Sequence, residues 1–406
     1  MSSATTDPTD RLHGLDALRG GALLLGIVLH ASLAYTPTPM WIVAEDGSQV
    51  ASTLFFAIHL FRMTAFFIIA GLFAHMMLER RGWAGFVRNR LARIAGPLGL
   101  LWTPVFAAFL IALLWKVAID NGGSLPTEGP PQPPMTVFNF PLLHLWFLWV
   151  LLIFYAVVLV LRAPFAALDR SGGWGRRVDR LTGAATGPWS PLVLGAPLAV
   201  AMAWVPGWIP FVGIPTPDTG LVPNAIALTG FGTAFLFGFL LDRRRDLLVR
   251  IERLWPVFLV MALGTGTGAW VLGGGAMPQL APVADPVARA GAAAVYGFAV
   301  FASALAAMAL CLRFLSGYSA VRRYLADASY WIYIVHMPIV LALQVVMFQI
   351  EAAWWIKFAV VIVGTFAISL ASYELLVRHT FVGGWLNGRR IPWRKARAGT
   401  DALPAE

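Results

Sequence analysis

Long apolar segments recur through almost the whole chain, and they restrict its possible folds more than any other feature. Ten can be counted, with approximate limits 14–36, 52–78, 96–118, 142–162, 190–206, 224–241, 255–273, 288–312, 329–350 and 354–376. Each is close to the ~20 residues that a helix needs to cross a bilayer. With 59% hydrophobic and 12% charged residues, the sequence predicts an all-α, polytopic integral membrane protein with about ten transmembrane helices.

Most arginine residues lie on one side of these segments, and only Lys116, Arg289 and Lys357 lie near the opposite side. Most of the arginines cluster after the second, fourth, sixth and eighth segments and in the C-terminal tail. The loops that contain no Lys or Arg are 37–51, 119–141, 207–223 and 274–287. Because cytoplasmic loops carry an excess of positive charge, both termini are predicted to be cytoplasmic. The net charge of +10 is then explained by topology, and no nucleic-acid partner is expected.

The domain organisation follows from the same pattern. We expect a single transmembrane domain over 1–380 and a flexible, basic cytoplasmic tail over 381–406. The single cysteine, Cys311, lies in an apolar segment, which excludes an internal disulfide and a cysteine-based metal site. H-E-x-x-H and G-x-S-x-G patterns are absent, so neither a zinc hydrolase nor a serine-hydrolase nucleophile is indicated. No metal is expected.

The first apolar segment carries ionisable residues, which are costly inside a membrane and are therefore functional candidates. Arg19 and His30 are eleven residues apart, so they share a helix face and lie about 16 Å apart along its axis. Asp16 precedes Arg19 by three residues, and we expect the two to form an ion pair. His30 is the leading candidate for proton transfer, the alternative being a hydrogen bond that ties two helices together.

The second segment contains His59 and Arg62 within HLFRMTAFFIIAG. The two residues are three apart and therefore share a helix face. Arg62 lies too deep to reach either membrane surface, so it needs a partner or a water-filled cavity. A functional and a structural role are both open for these residues, the structural role for Arg62 being donation to backbone carbonyls.

Three arginines follow the second segment in RNRLARIAGP: Arg88, Arg90 and Arg93. Guanidinium groups in such a cluster suit a phosphate-rich ligand at the cytoplasmic face. The alternative is ordinary positive charge on a cytoplasmic loop.

Two later segments contain histidines. HLWFLW opens the fourth segment with His144 and Trp146, which favour an aromatic belt at the membrane interface. SYWIYIVHMP in the ninth segment contains His336, for which function and structural hydrogen bonding are equally open.

Taken together, these motifs resemble those of the membrane-bound acyltransferase 3 family, and within it the OpgC/MdoC-like branch that modifies glucans. The resemblance rests on Arg19-x10-His30, HLFRMTAFFIIAG, RNRLARIAGP, HLWFLW and SYWIYIVHMP, which follow the family order from the first segment to the ninth. It implies a multi-pass acyltransferase of a plasma (inner) membrane, of bacterial origin, that acts within membrane lipid.

For the site, the resemblance implies acyl transfer across the membrane. The donor would be cytoplasmic acyl-CoA, either acetyl-CoA or succinyl-CoA, and the acceptor a hydroxyl of an extracytoplasmic glycan such as a periplasmic glucan. The catalytic residues it implies are His30, Arg19, His59 and Arg62, with His30 as general base. The residues implied to bind acyl-CoA are Arg88, Arg90, Arg93 and His336. The residues implied to bind the acceptor are His144 and Trp146.

Two other functions are open. A proton-coupled transporter or exporter of an anionic solute or glycan would also place His30, His59 and Arg62 inside the membrane. A non-catalytic scaffold in polysaccharide export would need none of the buried histidines.

Overall fold

A computed structural model describes residues 8–126 and 134–387, with side chains over 13–126 and 134–386. The helices are α1 (Pro8–Ser32), α2 (Gln49–Arg90), α3 (Gly96–Asp120), α4 (Trp146–Leu168), α5 (Gly173–Ala185), α6 (Ser190–Trp204), α7 (Ala225–Arg243), α8 (Asp246–Arg253), α9 (Trp255–Leu272), α10 (Pro286–Phe314), α11 (Ala320–Phe348), α12 (Trp354–Ser372) and α13 (Phe381–Asn387). Two 3₁₀ turns lie at Leu33–Tyr35 and Leu143–Leu145, and two π-helical turns at Leu91–Ala95 and Tyr373–Arg378. The described residues contain no β-strand.

The prediction of an all-α, polytopic membrane protein is confirmed. Eight helical runs in the described part of the chain are long and apolar enough to cross a membrane. One of them, Gln49–Asp120, contains two of the predicted segments, and the shorter helix Ser190–Trp204 corresponds to another. The predicted tail begins with a helix, Phe381–Asn387, and the rest of that tail lies outside the described residues.

Helix α1 occupies a central position and contacts α2, α10, α11 and α12. Around it, glycines allow other helix backbones to approach closely, as small residues do in membrane helices. A Cβ at Gly71 of α2 would lie 1.9 Å from the carbonyl oxygen of Phe235 in α7, and one at Gly238 of α7 would lie 1.7 Å from that of Ile68 in α2. No larger side chain fits at either position without moving a backbone.

The long second helix breaks at Gly82, whose φ of 64° lies in the left-handed region that favours glycine. The break separates the apolar part of α2 from its last turns, which carry Arg88 and Arg90. The π-helical turn Leu91–Ala95 then carries Arg93, and Pro97 opens α3. The predicted arginine cluster therefore lies on an irregular stretch between two spans.

The two ends of the bundle differ in charge. We call the end that carries the arginine-rich loops the basic face and the opposite end the outer face. Three cations lie near the outer face, and all have structural partners: Lys116 contacts Asp120 at 2.5 Å, and Lys357 contacts Glu45 at 2.5 Å. Arg289 donates to backbone carbonyl oxygens at 3.0 Å. These three residues therefore need no functional explanation.

Candidate active site

Two neighbouring cavities lie within the helix bundle. The outer cavity has a volume of about 210 Å³, and the basic-face cavity one of about 390 Å³. Leu23 of α1 and Phe147 of α4 line both of them. The predicted polar residues that line the outer cavity are His30, His59, Arg62, His144 and His336. Those that line the basic-face cavity are Arg19, Arg90 and Arg93. Two apolar side chains thus form a common boundary between a histidine-lined and an arginine-lined space.

Four helical elements bring the histidines of the outer cavity together. His30 lies in the last turn of α1, His59 in α2, His336 in α11 and His144 in the 3₁₀ turn before α4. The ring centroid of His336 lies 5.3 Å from that of His30 and 5.0 Å from that of His144. Leu143, next to His144, has a φ of 50°. Among the described residues, it is the only non-glycine residue with a positive φ. Such strained backbone clusters at functional sites.

Backbone carbonyls determine which ring nitrogen carries the proton in two of these histidines. His336 Nδ1 lies 2.6 Å from the carbonyl oxygen of Tyr333, and His144 Nε2 lies 3.0 Å from that of Ile334. Because a carbonyl oxygen only accepts, both nitrogens must donate. In the neutral rings, His336 Nε2 and His144 Nδ1 then carry free lone pairs, and both atoms are buried without a protein partner.

His30 and Arg62 supply two more unpartnered atoms to the same cavity. His30 Nδ1 and Arg62 Nε are buried and have no hydrogen-bond partner. Gly26, one helical turn before His30, leaves room for the guanidinium, since a Cβ there would lie 2.6 Å from Arg62 Nη1. Buried polar groups are nearly always paired. Four unpaired atoms around one cavity therefore indicate a site for a polar ligand.

His59 is held differently. Its Nε2 lies 3.0 Å from the carbonyl oxygen of Val212, in the loop between α6 and α7, and its ring stacks on Phe55 with centroids 5.4 Å apart. The hydrogen bond to Val212 attaches α2 to an outer-face loop. His59 lines the cavity, but its partners also give it a structural role.

In the basic-face cavity, two of the three arginines, Arg19 and Arg90, lie over aromatic rings. Arg19 forms the predicted ion pair with Asp16 at 3.1 Å and lies over the ring of Phe73 at 5.6 Å. The guanidinium of Arg90 lies 4.9 Å from the ring centroid of Tyr155, and its Nε has no partner. Such cation–π contacts orient a guanidinium and leave its edge free to donate. This cavity is suited to binding an anionic group.

Arg88 lies in an adjoining basin and does not line the basic-face cavity. This basin, about 250 Å³ in volume, is lined by Arg81, Arg88 and Arg93 together with Asn89. Arg93 and Asn89 also line the basic-face cavity, so the two spaces are continuous in their lining. Asn89 carries a buried Oδ1 without a partner. The predicted arginine cluster therefore spans two adjacent binding spaces.

The structure separates Arg19 from His30 as their spacing predicts, since they line different cavities. His336, which the resemblance groups with the acyl-CoA arginines, lies instead in the outer cavity beside His30. The interpretation of His144 and Trp146 as an interfacial belt is wrong, because each is only 5% exposed and both line the outer cavity. The physical reason is that the 3₁₀ turn directs them into the bundle.

Sequence reasoning missed other residues of this site. Trp41 and Asp218 come from outer-face loops and line the outer cavity together with Tyr333. Gln344 lies behind the wall and is fully buried. Although Asp218 is exposed, desolvation by the surrounding protein raises the pKa of its carboxyl above the ordinary value. A single carboxylate in a proline-rich loop without Lys or Arg was the available signal for Asp218. No sequence signal marked Trp41 among 17 tryptophans.

The outer cavity combines proton acceptors with a cation. An unprotonated imidazole nitrogen can take a proton from a hydroxyl group and return it later. A buried guanidinium can stabilise negative charge that develops on a neighbouring oxygen. This combination suits the activation of a hydroxyl nucleophile, and the basic-face cavity supplies a separate space for an anionic co-substrate.

Comparison with known proteins gives a consistent result. A family profile described as "Acyltransferase domain" (Acyl_transf_3) matches residues 12–374. Glucans biosynthesis protein C of Salmonella typhimurium (strain LT2) and of Salmonella typhi are each 33% identical to this chain over 155 residues. The matches cover 37% of this chain and 38% of each relative, well under half of either. No solved structure matches the chain.

Proposed function

Because this chain belongs to the acyltransferase 3 family, we propose that it is an integral-membrane O-acyltransferase. It transfers an acetyl or succinyl group from cytoplasmic acyl-CoA to a hydroxyl of an extracytoplasmic glycan. The observation that carries this proposal is the pair of cavities: one has unpaired imidazole nitrogens and a buried guanidinium, the other is lined by arginines, and Leu23 and Phe147 line both.

The arginine-lined spaces bind the donor. Arg90 and Arg93 bind the CoA phosphates, with Arg88 in the adjoining basin, since guanidinium groups bind phosphates through paired hydrogen bonds. Arg19 lines the same cavity and lies on α1, the helix that also carries His30. The pantetheine arm then passes between Leu23 and Phe147, which brings the thioester to the outer cavity.

The outer cavity carries out the chemistry. His30 takes the proton from the acceptor hydroxyl as its oxygen attacks the thioester carbonyl carbon. Arg62 stabilises the negative charge on the carbonyl oxygen of the tetrahedral intermediate. When the intermediate collapses, the carbon–sulfur bond breaks, the ester forms, and the CoA sulfur takes the proton back from His30. Removing a general base of this kind typically costs a factor of about 10² to 10⁴.

The acceptor is a glucan. Support for this comes from the name of the relatives, Glucans biosynthesis protein C, and from the position of the outer cavity near the face whose loops lack Lys and Arg. By the positive-inside rule that face is extracytoplasmic. The protein thus acts in a bacterial inner membrane, with its acceptor site open to the periplasm.

The test uses inside-out vesicles that contain the protein and a glucan oligosaccharide in their lumen, with acetyl-CoA or succinyl-CoA labelled in the acyl group added outside. We expect label on the glucan with the wild-type protein. His30→Ala should lower the transfer rate by about 10² to 10⁴, the value of a general base. His13→Ala is the matched control, because His13 lies on the same helix, contacts Tyr318 and lines neither cavity.

The outcomes separate the candidate functions. Transport of CoA, acyl anion or glucan without covalent transfer would contradict the proposal and favour a transporter. Transfer at the wild-type rate by His30→Ala, with normal membrane insertion, would remove His30 from the mechanism.

A further inference from the structure

Trp41 occupies a distinctive place in the outer cavity. It comes from the loop between α1 and α2, and its ring centroid lies 6.1 Å from that of His30. It also meets Phe109 of α3 edge to face, with centroids 6.4 Å apart. The indole therefore forms part of the cavity wall directly beside the predicted general base.

A buried amide fixes this indole. Gln344 of α11 has no exposed surface, and its Oε1 accepts a 2.8 Å hydrogen bond from Trp41 Nε1. Its Nε2 donates to the carbonyl oxygens of His30 and Ala31 at 3.1 and 3.3 Å. These carbonyls lie at the end of α1, where intrahelical partners run out. One side chain thus joins the indole to the backbone of His30.

The cavity beside Trp41 offers a characteristic set of groups to a ligand. His144 Nδ1 and His336 Nε2 present lone pairs, and Asp218 adds a carboxylate to the lining. All of these accept hydrogen bonds, so the fitting ligand carries several donors. Trp41 adds a flat apolar face. A ring with one apolar face and several hydroxyl groups, that is, a pyranose, satisfies both requirements.

We propose that Trp41 is the platform on which the acceptor's sugar ring lies, and that Gln344 is the positioning residue that holds this platform beside His30. The proposal rests on the proposed acyltransferase function and specifies how its acceptor is bound. Gln344 does not line the outer cavity, so it acts through Trp41 and the end of α1. The donor, bound by the arginines, is unaffected by either residue.

The experiment measures acyl transfer to a glucan oligosaccharide and, separately, to glycerol, which has hydroxyl groups but no ring. Trp41→Leu should raise the KM for the oligosaccharide at least about tenfold, since an aromatic contact and its buried area are lost. Its KM for acyl-CoA should stay within about twofold, and any rise in its KM for glycerol should be smaller than the rise for the oligosaccharide, because glycerol has no ring to lie on the indole.

Two milder variants test the role of Gln344. Trp41→Phe and Gln344→Met each remove the hydrogen bond between the residues and should raise the KM for the oligosaccharide about three- to tenfold. Because both act through that bond, the double variant should be no worse in this KM than Gln344→Met alone. Gln349→Met is the control, since Gln349 is exposed, lies just after α11, and its side chain donates to the carbonyl oxygen of Val345.

The results distinguish this inference from the proposed function. If the wild-type protein transfers no label to either acceptor, the proposed function itself fails. Suppose instead that the wild-type protein transfers label. If Trp41→Leu and Trp41→Phe then leave the KM for the oligosaccharide unchanged, or raise the KM for glycerol equally, Trp41 is not the platform for the sugar ring. Strictly additive effects in the double variant would contradict the positioning role of Gln344.

Discussion

The outer cavity and the basic-face cavity both have Leu23 and Phe147 in their walls, but the polar side chains of the two cavities make different contacts. In the outer cavity, backbone carbonyls hold one nitrogen of His144 and His336, which leaves the other as a buried lone pair. In the basic-face cavity, the guanidinium groups of Arg19 and Arg90 lie over the aromatic rings of Phe73 and Tyr155.

This difference suggests a division of work between the cavities. Neutral, desolvated imidazoles suit proton transfer, because burial removes the water that would compete for their lone pairs. Partly exposed arginines suit the binding of a charged ligand from solution, because they steer it to the site and hold its phosphates through charge-assisted hydrogen bonds. Substitutions of His30 and Arg62 in the outer cavity should therefore lower kcat, and substitutions of the arginines in the basic-face cavity should raise the KM for the donor.

The largest effect after that of His30 is expected from Arg62. Arg62→Gln should lower kcat by about 10² to 10³, the usual cost of losing a donor to an oxyanion, while the KM for acyl-CoA stays within about twofold. Arg62→Lys keeps the charge but not the planar fork, so it should retain an intermediate rate. Steady-state kinetics in vesicles, normalised to inserted protein, measure this. An increase in donor KM without a loss of kcat would assign Arg62 to the donor instead.

A smaller effect is expected from the glycine that makes room for Arg62. Gly26→Ala places a Cβ 2.6 Å from Arg62 Nη1, so the guanidinium must shift and kcat should fall about tenfold, as small displacements of catalytic groups do. Gly21→Ala is the matched control on the same helix, because a Cβ there meets nothing within 4 Å. Equal activity of the two variants would show that the position of Arg62 is not critical.

Much of the fold could be predicted from the sequence because membrane helices are encoded locally. Each span needs its own run of apolar residues, and each of the ten predicted segments has a helical counterpart. The arginine loops could be recognised in the same way. The break at Gly82 and the π-helical turns could not, since they depend on how α2 and α3 pack at the basic face.

The site was predictable only in part. His30 and Arg62 stood out because ionisable residues in apolar segments are rare. His144 and Trp146 were misplaced at the interface because the turn that directs them inward depends on a φ of 50° at Leu143, which nothing in HLWFLW indicates. Gln344 could not be found, since its partners lie about three hundred residues away in the chain. Convergence of distant segments is a tertiary property.

Substitutions in the basic-face cavity test the predicted role of its arginines in binding the donor. Arg90→Gln and Arg93→Gln should each raise the KM for acyl-CoA about three- to tenfold, the value of a charge-assisted hydrogen bond in a partly exposed site, with kcat unchanged. Arg80→Gln is the control, since Arg80 is exposed and lines neither cavity. A donor without the 3′-phosphate should show a smaller difference between variant and wild type. A loss of kcat with unchanged donor KM would contradict the division of work.

The smallest effect is expected at the outer cavity's single carboxylate among the described residues, Asp218. When ionised, it accepts hydrogen bonds from acceptor hydroxyls, so Asp218→Asn should raise the KM for a glucan oligosaccharide about two- to fivefold at pH 8, less than the loss of a fully buried charged hydrogen bond. Desolvation by the surrounding protein raises the pKa of this carboxyl.

The Asp218 carboxyl of the wild-type protein should accordingly become protonated as the pH on the outer side falls through that raised value. The KM of the wild-type protein for the oligosaccharide should then approach that of Asp218→Asn. Because the pKa is raised, the KM values of wild type and Asp218→Asn should converge at a higher pH than they would for an aspartate with an ordinary pKa. Asp46→Asn, on another outer-face loop and outside the cavity lining, should follow the wild-type curve throughout. A constant ratio between Asp218→Asn and wild type across the pH series would mean that the carboxyl does not contact the acceptor.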